Sequence, residues 1–337
     1  MREISMREDI DVNVADDAGQ SPLHFAFEEE QVDVICLLIE NGADLDLARF
    51  NGVTPRFRAA EMGNTAMVML VLENGADFDK ADEDGDTPLT RATTKGNVGV
   101  VRLLLGRGDN VAKTNKRGNT PLMCAAKSGH NEVAELLVAN EANVDRTNLF
   151  GSTALLIAAK YRHREIVKQS IEHGAVVDVA TNDGVTLLVL TAAADHVDVV
   201  RLLLESGTDI TKTLKGGNTA ILDASRNGHT DTVKLLLENS ADIEHRNQLG
   251  LASLLVTAIS GHTDTVNLLL VNGAIIELPD DKGFTALIYA AGRSHLDVVE
   301  ALVNNGADIK KTSNEGYTTL IIAASEGESN MHAAITG

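Results

Sequence analysis

Glycine stands at positions 19, 52, 85, 118, 151, 184, 217, 250, 283 and 316, each 33 residues from the next, with no insertion. A period this strict means that one structural unit is copied and stacked along the chain, and it constrains the fold more than any other signal. The surroundings repeat too. GVTPRFRAA, GDTPLTRAT, GNTPLMCAA, GSTALLIAA and GFTALIYAA follow the glycines, and VVRLLLESGTDI, TVKLLLENSADI and VVEALVNNGADI stand further on.

Each unit carries the signals of two helices. Thr54, Thr87 and Thr120 can cap a first helix through their hydroxyls. Pro55, Pro88 and Pro121 follow at the first helical position, where a missing N–H costs nothing. The pairs Ala59-Ala60, Ala125-Ala126 and Ala158-Ala159 keep that helix thin, so neighbouring units can approach closely. Gly63, Gly96, Gly129, Gly228 and Gly261 end it. A second helix with the apolar stripe Val133, Leu136, Leu137 follows, and Gly42, Gly75, Gly174, Gly207, Gly273 and Gly306 end its copies. Aromatics make up 3% of the chain and Trp is absent, so Leu, Ile, Val and Ala must build the core.

These motifs resemble the ankyrin repeat: a turn, T-P-L-x-x-A-A, then G-H, then V-V-x-L-L-L-x-x-G-A-D. The resemblance covers residues 10–337 and recurs about ten times in register. It implies an all-α solenoid of antiparallel helix pairs with short projecting β-hairpins. On this reading residues 1–18 are a partial N-terminal repeat or cap, 19–315 are nine repeats in one continuous array, and 316–337 are an incomplete C-terminal repeat or cap.

Some positions depart from the pattern. Arg56 replaces the usual Leu of a first helix, and Gln169-Ser170 replace a Leu pair in a second helix. Glu141 and Ser240 stand where glycine is usual. Two readings stay open: drift in a long array, or a hinge or polar site. Arg56 is expected to be an unpaired buried charge, whose replacement by Leu would stabilise the chain.

His130, His163, His196, His229, His262 and His295 recur every 33 residues, one per unit. Stacked helices lie ~8–10 Å apart, too far for successive rings to share a metal that needs nitrogens at ~2.0–2.1 Å. They read as hydrogen-bonding residues at the start of the second helix. Arg107-Gly108-Asp109 falls where neighbours have a helix-ending glycine, and reads as a chance triplet. Nucleotide-binding loops, zinc-protease and nucleophile-elbow motifs are absent. Glu28-Glu29-Glu30 reads as a solvated face. The expectation is a protein that is not an enzyme, with no catalytic residue, cofactor, metal or small-molecule substrate.

Net charge is −20, which disfavours nucleic acid and anionic lipid and favours basic partners or apolar grooves. No apolar run approaches the ~20 residues of a membrane-spanning helix. Two cysteines, Cys36 and Cys124, fit a reducing compartment, so a monomer in the cytoplasm is expected, with the nucleus also open.

The resemblance places variable, partner-facing positions at the hairpin tips and on the exposed face of the first helices. At the tips stand Phe50, Lys116, Arg117, Leu149, Phe150, Leu249, Leu251, Phe284 and Tyr317, with Leu214 near the base of its tip. Lys160, Tyr161, Arg226 and Arg293 lie on the helix face. Aromatics and Arg are enriched in binding hot spots. The expectation is a protein–protein interaction scaffold that takes a protein or peptide on this concave surface; adjacent tips packing on each other is the competing explanation of the apolar residues. The unfinished ends favour a second reading, a regulatory or targeting arm of a larger enzyme, channel or secreted effector.

Overall fold

A computed structural model describes residues 11–75 and 80–325. Residues 1–10 of the expected N-terminal cap and 326–337 of the expected C-terminal one lie outside the described residues. The threonines cap as expected. The Thr54, Thr120 and Thr153 hydroxyls accept the backbone N–H of Phe57, Met123 and Leu156, and Pro55 and Pro121 open their helices. Each such cap is worth about 1 kcal/mol.

The helices fall into two compact units that divide after Ala175. The first holds α1 (Pro22–Glu28), α2 (Val32–Glu40), α3 (Pro55–Met62), α4 (Thr65–Glu73), α5 (Pro88–Lys95), α6 (Val98–Gly106), α7 (Pro121–Ser128), α8 (Asn131–Ala139), α9 (Ala154–Lys160) and α10 (Arg164–Glu172). The second holds α11 (Leu187–Ala193), α12 (Val197–Glu205), α13 (Ala220–Arg226), α14 (Thr230–Glu238), α15 (Ser253–Ser260), α16 (Thr263–Val271), α17 (Ala286–Gly292), α18 (Leu296–Asn304) and α19 (Thr319–Ser325). Within each unit, first helices pack on first helices, as α3 on α5 and α13 on α15, and second on second, as α4 on α6 and α14 on α16. Every chain segment therefore meets mainly its neighbours in the stack.

The alanine pairs sit at the centre of that packing: Ala59, Ala60, Ala125, Ala126, Ala158 and Ala159 are fully buried. Val133 and Leu137 are buried likewise, while Leu136 is half-buried. Glu141 and Ser240 adopt φ of 65° and 67°, so the left-handed bend that glycine makes freely is held there at a local cost. The fold is all-α. The projecting arms are tight turns, and among the described residues β pairing reduces to isolated bridges at Ala180–Thr186 and Thr312–Thr318.

The repeating histidines join neighbouring units. His130, His163, His262 and His295 each precede a second helix. Their Nε2–H groups donate to the carbonyls of Thr94, Lys127, Arg226 and Ile259, one repeat earlier, at 3.0–3.2 Å. A Cβ on Gly129 would come within 2.5 Å of the His163 ring, so the helix-ending glycine and the next histidine are one device.

Arg56 corrects the expectation of an unpaired charge. It is buried, and its Nη2 donates to both carboxylate oxygens of Asp109 at 3.2 and 3.3 Å. Asp109 takes the place of the buried alanine that other units carry, as at Ala43, Ala142 and Ala175. The Leu-to-Arg and Ala-to-Asp departures answer each other across 53 residues. The Asp109 side chain is 3% exposed, which removes it from any surface triplet with Arg107 and Gly108. Ser170 is buried without disturbing α10.

His24 is also buried. Its Nδ1 accepts from the Ser21 N–H and faces the Ser21 hydroxyl, while Nε2–H donates to the Val53 carbonyl. Burial holds this imidazole below its ordinary value, against the opposing pull of the Val53 carbonyl.

Two outcomes follow. Arg56→Leu alone leaves Asp109 buried without its cation and lowers stability by about 3–5 kcal/mol. Arg56→Leu with Asp109→Ala recovers most of that loss in chemical unfolding; a double variant as unstable as the single one would show that the pair is not the cause. For His24, the unfolded imidazole protonates first, near pH ~6.5, so its contribution is complete above that pH and falls as the pH drops towards the folded-state value. The stability difference between the wild type and His24→Gln therefore shrinks on acidification, and a pH-independent difference would contradict it.

Candidate functional site

Several of the projecting turns are closed by the side chain of their first residue. Asn148 Oδ1 accepts the N–H groups of Phe150 and Ser152 at 2.9 and 3.0 Å, and Asp82, Asn115, Asn247 and Asp280 do the same for their own turns. Such side-chain closure fixes the turn without help from its tip residues. Turns are then tied in series. The N–H groups of Lys116 and Leu149 donate to the carbonyls of Asp84 and Arg117 at 2.9 and 3.2 Å, and those of Gln248 and Asn314 donate to Gly216 and Lys282. Asn148 Nδ2 adds a bond to Asn119 Oδ1 at 2.8 Å, and Asn247 does so to Asn218. The period glycine permits this contact: Gly118 has φ of 75°, and a Cβ there would lie 2.9 Å from the Leu149 nitrogen.

On these fixed turns the tip side chains point outward to different extents. In the first unit Phe50, Leu149 and Phe150 are 72%, 67% and 63% exposed, and in the second Leu249 is 69% exposed. Tyr161 and Tyr317 are exposed to a lesser degree. Lys116, Arg117, Lys160, Arg226 and Arg293 are exposed, whereas Leu214, Leu251 and Phe284 are half-buried. Phe284 packs on Tyr289 and on Tyr317 of the next turn, with ring centroids 5.4 and 6.3 Å apart. Tip-to-tip packing thus operates at that end. Lys160 lies 6.0 Å from the centre of the Tyr161 ring, and Arg226 pairs with Asp223 at 3.4 Å.

The floor beside the tips is made by first helices. In the first unit a chain of ion pairs runs Arg49–Glu28–Arg58–Glu61–Lys95, so Glu28 is part of a network and not of a solvated acidic face. Burial opposes ionisation of Glu61, but the Arg58 hydrogen bond and the charges of Arg58, Lys95 and Arg91 together hold its carboxyl below the usual range. Arg91 pairs with Asp82 and Asp86 and lies 5.2 Å from the centre of the Phe57 ring. Burial pushes the Asp86 carboxyl up despite its bonds to Asn115 and Arg91.

A cleft of about 230 Å³ opens beyond this network, lined among others by Asp84, Asp86, Lys116, Arg117, Cys124 and Lys127. Burial, with Asp86 adding to it, pushes the Cys124 thiol up to about 11, which keeps it protonated and unreactive at neutral pH. Lys127, a lining residue beyond those expected from the sequence, occupies the same repeat position as Lys160 and Arg226, so its signal lies in the 33-residue register. In the second unit the Tyr289 hydroxyl donates to Asp280 at 2.6 Å, and burial with that carboxylate raises the phenol above its usual value. Among the described residues no three His, Cys, Asp or Glu side chains converge to hold a metal ion, and no helix is long and apolar enough to cross a membrane.

Comparison with protein families matches the description "Ankyrin repeats (3 copies)" to residues 57–148, 102–181, 140–214, 171–247 and 254–335. The single "Ankyrin repeat" matches residues 18–49. A search of curated proteins gave no match. Capped helix pairs, serial turns and family matches agree over most of the chain, which belongs to the ankyrin-repeat family, whose repeats are in general protein–protein interaction modules.

Proposed function

We propose that the chain is a non-catalytic scaffold that binds a protein or peptide partner along the turn tips and exposed first-helix faces. The observation that carries this reading is the exposure of Leu149, Phe150 and Leu249 on turns whose backbone is already closed by Asn148 and Asn247. Large apolar side chains left in water by the fold are available to a partner. Their turns are held before binding, which lowers the ordering cost of association. Beside Leu149 and Phe150 in the first unit, Lys160 is exposed on the first helix that follows their turn and offers charge for register.

The test compares tips of two kinds. Leu149→Ser with Phe150→Ser is expected to change stability by no more than about 0.5 kcal/mol while weakening a partner captured by the wild type by about thirtyfold, the loss of one hot spot. Phe284→Ser, which removes ring contacts to Tyr289 and Tyr317, is expected to lower the thermal midpoint by several times more. An unchanged partner affinity in the Leu149/Phe150 variant would remove this tip from the binding surface. A midpoint drop as large as that of Phe284→Ser would make the pair a packing element.

A further inference from the structure

The chain carries 49 Asp and Glu against 29 Lys and Arg, so its average field repels anions. One strip of the first unit reverses that sign. Residues 115–128, which form one turn and α7, hold Lys116, Arg117 and Lys127 and no acidic residue. Residues 148–163, the next turn and α9 with the residues after it, hold Lys160 and Arg162 and again no acidic residue. Lys116, Arg117, Lys127 and Lys160 are exposed, unlike Arg49, Arg58 and Arg91, whose charges are spent on Glu28, Glu61 and Asp82. Lys116, Arg117 and Lys127 border the 230 Å³ cleft together, so the charges converge on a concavity. Leu149 and Phe150 stand on the turn directly after it. The preceding turn carries Asp82, Glu83, Asp84 and Asp86, of which Asp84 and Asp86 border the cleft; Asp82 and Asp86 are already engaged by Arg91, and Asp86 by Asn115 as well.

We propose that the partner of this face is an acidic peptide segment carrying a large apolar residue, its carboxylates on Lys116, Arg117, Lys127 and Lys160 and its apolar side chain against Leu149 and Phe150. This rests on the binding function proposed above and adds the partner's chemistry. Adjacent turns are one stacking step apart, ~8–10 Å, which an extended chain covers in about three residues at ~3.3 Å each. The spacing therefore asks for an aromatic or large aliphatic residue about three positions from the nearest Asp or Glu. Asp84 and Asp86 disfavour further acids at the end of the segment that lies over the preceding turn, which gives the segment a direction.

The experiment is a selection of a random twelve-residue peptide library on the full chain. Expected winners combine Asp or Glu with one aromatic or large aliphatic residue at that spacing. Their binding weakens about tenfold or more in Lys127→Glu with Lys160→Glu, as in Lys116→Glu with Arg117→Glu, and weakens as salt is raised. Thermal unfolding of each variant confirms that it is folded. Winners that need Leu149 and Phe150 but are neutral or basic would overturn the acidic partner and leave the binding surface standing. Winners indifferent to Leu149 and Phe150 would overturn the surface itself. A single-stranded oligonucleotide probe that binds as tightly as the winners, through the same lysines, would replace the peptide with a general polyanion and overturn the proposal.

Discussion

The hydrogen bond from the amide of one turn to the carbonyl of the turn before it is the contact on which the rest of this molecule depends. It requires the two backbones to approach closely, and at Gly52, Gly85, Gly118 and Gly283, where a Cβ would lie 2.7–2.9 Å from the backbone of the next turn, that approach admits glycine alone. Glycine at the tip would leave a loose loop, since it is the least restrained residue. The Asn or Asp at the head of the turn restores order by accepting two tip amides. At the Asp82, Asn115 and Asp280 turns close approach, glycine and Asx closure come as a set, and the 33-residue period is its trace in the sequence.

Because the turn is closed by its backbone and its first residue, the two positions before the glycine carry little of the fold. Acidic, basic, polar and apolar residues all occupy them, as Glu83-Asp84, Lys116-Arg117, Asp281-Lys282 and Leu149-Phe150 show. The same division of labour holds on the first helices. Alanines and capping threonines build the stack, while one first-helix position varies freely, as Phe25, Arg58, Arg91, Cys124 and Ile157 in the first unit alone. A surface whose shape is conserved by the repeat and whose chemistry is free to vary is suited to recognition, which is the general role of the family.

Much of this was legible in the sequence. Helix starts at Thr-Pro, ends at glycine, the alanine seam and the histidine link are local or one-period features, and a period makes them visible. The competition between exposure and packing at the tips was not legible. Phe150 and Phe284 are both aromatic residues next to a period glycine, Phe150 before it and Phe284 after it; Phe284 has Tyr289 beneath it and Tyr317 beyond it, whereas Phe150 stays in water. Arg56 was misread for a related reason. Its partner Asp109 belongs to a different position of a later unit, and only the stacked geometry brings the two together. The positive strip was hidden by averaging, since a net charge of −20 describes the whole chain and not one face of it.

The most direct test of the account is hydrogen exchange at the turn-to-turn amides of Lys116, Leu149 and Gln248. If the turns are held before any partner arrives, these amides exchange as slowly as those in the first helices of their own units, and replacing the tip side chains leaves them slow. Exchange at the rate of open chain would mean that the turns are mobile in the free protein, and that the surface they present is made by the partner.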